Sequence, residues 1–92
     1  MHTDPEKLTK KHSQLTHSDA MKVVSHTQRE KEGWFINSVM VEGCDVPFKF
    51  NRKQKYKILG RGQRVNMTYY PMTESIAGLE FEYMKVVRIK IS

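Results

Sequence analysis

The stretch Trp34–Phe50, WFINSVMVEGCDVPFKF, changes the period of the chain from helical to alternating. Trp34 to Glu42 is rich in aromatic and β-branched residues and reads as a strand. Gly43-Cys44-Asp45 supplies turn chemistry. Val46, Phe48 and Phe50 then alternate with Pro47, Lys49 and Asn51, giving a second strand with one apolar and one wet face. Pro47 cannot donate a ladder hydrogen bond, which places it at a sheet edge or at the strand's start. Together the two runs predict a hairpin.

Downstream, Arg52 to Gly62 is the least regular part, with Tyr56, Ile58 and Leu59 to pin it down and Gly60 and Gly62 to relax its backbone. Arg64 to Tyr70 alternates cleanly. Val65, Met67 and Tyr69 fall on one side, Arg64, Asn66, Thr68 and Tyr70 on the other. Pro71 to Gly78 reads as a turn. Leu79, Phe81 and Tyr83 then alternate with Glu80 and Glu82, and Val87, Ile89 and Ile91 with Arg88 and Lys90. Lys85 falls on the apolar register, so a bulge or bend is expected near Met84 to Val86. A long strand bent in this way suits a small barrel, where it pairs with different neighbours along its length. Phe48, Phe50, Tyr69, Phe81 and Tyr83 are expected in the core, Trp34 is expected to pack, and Tyr70 is expected to be exposed.

Upstream, Ser18 or Asp19 can cap a helix whose narrow stripe is Ala20, Val23, Val24 and Thr27. Gln28 to Glu32 continues it and Gly33 stops it. Residues 1–17 are polar and mixed in charge, and read as a flexible tail unable to bury enough apolar surface to offset the entropy of ordering. The expected organisation is a tail over 1–17 and one domain over 18–92, with a helix at about 18–32 and a β-barrel at about 34–91.

Charge is concentrated. Val46 to Thr73 holds seven of the 16 Lys and Arg residues and none of the ten Asp and Glu, so this block alone accounts for the formal net charge of +6. Phe48, Phe50, Tyr56, Val65, Met67, Tyr69 and Tyr70 interleave with the cations. A polyanion is the natural partner of such a surface, and a merely solvated basic face is the plainer alternative. One cysteine, Cys44, excludes an internal disulfide, and no apolar run marks a signal peptide or membrane span. These features lead to the expectation of a cytoplasmic protein.

Leu59-Gly60-Arg61-Gly62-Gln63-Arg64-Val65-Asn66-Met67-Thr68-Tyr69 resembles the strand entry of small OB-like barrels, in which a glycine-containing turn feeds a strand. The hairpin Phe35 to Phe50 and the closing run Lys85-Val86-Val87-Arg88-Ile89 fit the same plan. The resemblance spans roughly residues 34 to 91. It implies a small antiparallel OB-like barrel of five strands, the fifth drawn from Arg52–Ile58 or from a split last strand. It also implies single-stranded DNA or RNA as ligand, held by charge and base stacking with low sequence specificity. The candidates for phosphate are Lys49, Arg52, Lys53, Lys55, Lys57, Arg61 and Arg64, with Tyr56 and Tyr70 for stacking.

Other chemistry finds little support. His2, His12, His17 and His26 lack the spacing of a zinc site, and no cofactor or metal is expected. Cys44 has no evident base, Glu80 and Glu82 have Arg88 and Lys90 as simple cross-strand partners, and Gly60-Arg61-Gly62 lacks the rest of a phosphate-binding loop. The expectation is non-enzymatic nucleic-acid binding. The alternative is a protein-interaction module or small homo-oligomer that offers a strand edge or the N-terminal helix to a partner.

Overall fold

A computed structural model describes residues 15–92 of the chain. Five strands follow one another: β1 (Thr16–Lys31), β2 (Trp34–Val41), β3 (Phe48–Arg52), β4 (Arg64–Ile76) and β5 (Leu79–Ile91). They form one sheet in the order β1-β2-β3-β5-β4, closed into a ring by β1 pairing with β4. The sheet is mixed rather than wholly antiparallel, because β3 and β5 run parallel through Phe48↔Met84 and Lys49↔Lys85. No helix long and apolar enough to cross a membrane occurs among the described residues.

The expected helix over 18–32 is instead most of β1, and it supplies the fifth strand that Arg52–Ile58 or a split last strand was expected to provide. Two register shifts explain the misleading period. Bulges between Ser18 and Met21 and between Val23 and Ser25 each add a residue, so the inward positions run Ser18, Met21, Val23, His26, Gln28. Two of those steps are three residues long, which imitates the spacing of a helix face. Ala20, at φ 53°, sits in the first bulge. Gly33, expected as a helix stop, instead forms the β1–β2 turn with Glu32, both at positive φ, the two-residue pattern that matches strand twist. The expected tail falls outside the described residues over 1–14, whereas Thr16 and His17 already belong to β1.

The expected turn at Pro71–Gly78 is also overturned. β4 runs on through Pro71 to Ile76, and only Ala77 and Gly78 turn. Pro71 is tolerated for a specific reason. Its partner Met84 gives its N–H to Pro47 O, on the β3 side, so the Pro71–Met84 pair makes no ladder bonds between β4 and β5. The missing donor of Pro71 faces the side of β4 that β1 has left, since their pairing ends at Thr16↔Tyr69. Pro47 itself immediately precedes β3. The expected irregularity of the last strand is a bulge at Val87, between the pairs Tyr69↔Val86 and Thr68↔Arg88.

Val23, Val39, Val41, Phe48, Phe50, Leu59, Val65, Met67 and Val86 fill the ring. Phe48 meets Tyr69 edge-on at 4.8 Å, and Phe50 meets Tyr56 edge-on at 5.0 Å. Residues 53–63 have no regular structure, yet they are tied along the edge of β1 that β4 leaves uncovered. The Gln28 amide donates to Tyr56 O (2.9 Å) and accepts from Tyr56 N–H (2.7 Å). Gly62 N–H donates to Val23 O, and Val23 N–H to Gln63 O, both at 2.8 Å. Between these anchors Leu59 N–H donates to His26 Nδ1 (2.9 Å), so the His26 Nε2 proton is the one shared with Asn37 Oδ1 at 2.8 Å. Asn37 is wholly buried and passes a further bond to Phe35 O. Polar inward residues on β1 thus satisfy loop backbone that the barrel would otherwise bury unpaired.

Candidate functional site

Side chains that alternate away from the core of β1, β2, β3 and β5 share one outer face. The register aligns them in rungs. Arg29 stands beside Ile36 and Ile36 beside Asn51, while Ser38, Lys49, Lys85 and Tyr70 form a row across four strands. Lys31 and Trp34 close the β1–β2 end of this face. On the other side β4 and β5 continue beyond their pairing with β1 and β3 as a two-stranded arm. Ile76, Leu79, Phe81, Met72 and Tyr83 lie on one face of the arm, and Thr73, Ser75, Glu80 and Glu82 on the other.

A cleft of about 600 Å³ opens between the β1–β2 end and β5, lined by Lys31, Trp34, Ile36, Asn51, Arg52, Lys85 and Val87 among others. It continues into a second, of about 410 Å³, that adds Arg29, Lys49, Glu74, Ile76 and Tyr83 and shares Lys31, Ile36, Asn51 and Lys85 with the first. The combined lining holds five cations, Arg29, Lys31, Lys49, Arg52 and Lys85, against the two acids Glu32 and Glu74. Lys49 Nζ donates to Glu74 Oε1 at 2.9 Å and lies 5.1 Å from the centre of the Tyr83 ring. Lys53 Nζ stands 4.1 Å over the Trp34 ring, which is 41% exposed.

The seven cations of the basic block do not form one surface. Lys49 lies on the cleft floor. Arg52 reaches the cleft from the end of β3 with its guanidinium 4.9 Å over Phe50 and 5.8 Å from Tyr56. Lys53 is at the rim. Lys55, Lys57 and Arg61 are exposed on the 53–63 loop, and Arg64 projects from β4 beside Lys22 of β1. Tyr70 is half-buried, directly opposite Lys85. Tyr56 is half-buried, its ring engaged by Phe50 and 6.1 Å from His26.

Sequence reading missed Arg29, Lys31 and Lys85 as cleft residues. Trp34 and Phe81, expected to pack, are 41% and 47% exposed, and Tyr83 is only half-buried. The available signal was Lys85 on an otherwise apolar register, a cation facing outward where a strand pairs on both sides. Among the described residues no three His, Cys, Asp or Glu side chains gather to hold a metal ion. No protein-family model matches the chain, and no curated protein or solved structure matches it either.

Proposed function

We propose that the ring is an OB-like barrel that binds single-stranded nucleic acid, without enzymatic chemistry, in the cleft between the β1–β2 turn and the β4–β5 arm. An OB barrel is a five-stranded Greek-key ring that binds oligomers over its second and third strands, between the loops joining strands one and two and strands four and five. A cleft over β2 and β3, between the β1–β2 turn and the β4–β5 arm, supports this reading. One observation carries the ligand class. Lys49 and Lys85 are directly opposed across β3 and β5, and Arg29 and Lys31 of β1 line the same cleft. Like charges opposed across a sheet are unfavourable, and Glu74 offsets Lys49 alone of this pair. Trp34 and Tyr83 add rings beside the cations, the combination that holds phosphates and unpaired bases together. Arg29, Lys31 and Lys85 have no ion-pair partner among the described residues.

The test is fluorescence anisotropy of labelled oligo-dT and oligo-U at two salt concentrations. Binding should weaken with salt at a log–log slope of about 0.7 per phosphate neutralised. Arg29→Glu with Lys85→Glu should abolish it while the circular dichroism spectrum is retained. Equal binding by the folded double variant would refute the proposal.

A second reading rests on the arm. Ile76, Leu79 and Phe81 are 52%, 63% and 47% exposed, on strands whose outer edges pair with no other strand among the described residues. Such an arm suits strand addition by a protein partner or a second copy. Self-association that rises with concentration and vanishes on Phe81→Ser would favour it. Residues 18–32, expected as a helix that could meet a partner, lie almost wholly in β1 instead.

A further inference from the structure

We infer that the outer face of β1, β4 and β5 is a second nucleic-acid surface that holds only the phosphodiester backbone of a strand leaving the cleft, an inference that rests on the reading of the cleft above. Val65, Met67, Ile89 and Ile91 pair facing the core or its margin, so Arg64, Asn66, Thr68, Arg88 and Lys90 turn outward. The pairs on this face are Lys22↔Arg64, Asn66↔Lys90 and Thr68↔Arg88.

Lys22 and Arg64 are again like charges opposed across two strands. Arg64 is held in place, since its Nη1 donates to Ala20 O at 3.0 Å in the β1 bulge. Lys22 has only a long 3.8 Å contact with Glu42. Arg88 and Lys90 are exposed and have no ion-pair partner among the described residues. Asp19, the acid nearest Lys22 in sequence, is bonded to His17 at 2.7 Å. Asn66 accepts from Ala20 N–H through Oδ1, and its amide N–H₂ has no partner among the described residues. None of these outward residues is Phe, Tyr or Trp, and the one ring beside them is His17, bonded to Thr68 Oγ1 at 2.9 Å, so the face is suited to phosphate more than to stacked bases.

Continuity with the cleft comes from the bulge at Val87. Strict alternation from Lys85 would turn Arg88 inward. The extra residue keeps both Lys85 and Arg88 outside, so β5 carries cations from the cleft onto the opposite face without a break. A strand seated on Lys49 and Lys85 can then follow β5 towards Arg88, Lys90 and Arg64.

The experiment compares oligo-dT of about 6 nucleotides with oligo-dT of about 24, since one such barrel covers roughly 4–16 nucleotides. Arg88→Glu with Lys90→Glu should leave affinity for the short strand within about twofold. It should weaken the long strand by about tenfold or more, and lower its salt slope by about 1.4, two phosphates' worth. The neutral pair Arg88→Gln with Lys90→Gln should show the same selectivity with a smaller loss, and stands in if the charge reversal unfolds the chain. No loss on the long strand, or equal losses at both lengths, overturns the inference while leaving the cleft intact. If the unaltered protein binds neither length, the cleft reading itself falls, and this inference with it.

Discussion

Lys49 on the cleft floor and Glu74 on the β4–β5 arm are joined by a 2.9 Å charged hydrogen bond. Both side chains are about a third exposed, so the pair is accessible to solvent and to salt. A phosphate entering the cleft competes with the Glu74 carboxylate for the same ammonium group. Glu74→Gln should therefore tighten oligo-dT binding several-fold, and steepen the salt slope by about 0.7 as Lys49 becomes free to neutralise a phosphate. Anisotropy titrations at several salt concentrations measure both. Unchanged affinity and slope would mean that Lys49 does not meet the ligand.

The charged groups of the loop and of the cleft should separate cleanly. Lys55→Glu, Lys57→Glu and Arg61→Glu together alter the 53–63 loop along β1, whereas Arg29→Glu with Lys85→Glu alters the cleft. The loop triple should weaken binding only through its long-range field, by less than the cleft pair and more at low salt than at high. A greater loss from the loop triple would relocate the site.

Trp34 should be a stacking ring rather than a structural one. Its exposure means that Trp34→Ala removes little buried surface. The expected cost to binding is about 1–3 kcal/mol, the range for a base stacked on an aromatic side chain. Quenching of the single tryptophan on titration with oligo-dT would report the same contact. Loss of stability with no loss of affinity would contradict it.

His26 should govern the loop. Its imidazole joins Leu59 N–H to the buried Asn37, so His26→Ala leaves both without their partner. The expected destabilisation is about 1–3 kcal/mol, set by the desolvated groups left unpaired. Hydrogen exchange would locate it. The Leu59 amide should lose protection far more than the Val39 amide, which faces Phe48 in the β2–β3 ladder.

The hairpin 34–52 and the runs beginning at Arg64 and Leu79 were legible because each shows two-residue alternation, over a buried face in the first two and over the exposed apolar side of the arm in the third. β1 was not, because its bulges at Ala20 and Val24 break the alternation, and because its inward His26 and Gln28 serve loop backbone instead of filling the core. The second half of β4 was hidden by Pro71, whose acceptability depends on an edge of β4 that β1 leaves beyond Tyr69 among the described residues. Lys49 could be picked from the sequence. Arg52 could be as well, and Lys85 was marked only by its place on an apolar register, whereas Arg29 and Lys31 reach the same cleft from a strand distant in the chain. A linear block of seven cations looked like one surface, and the ring divides it among the cleft, a loop and the opposite face.

The central claim is that the cleft over β2, β3 and β5 holds a nucleic-acid strand, and amide chemical-shift mapping tests it most directly. Titration of ¹⁵N-labelled protein with oligo-dT should shift the amides of Lys31, Trp34, Ile36, Lys49, Asn51 and Lys85 together, and little around Tyr56 to Gly60. An absence of shifts at low salt, or shifts confined to the 53–63 loop, would contradict the account.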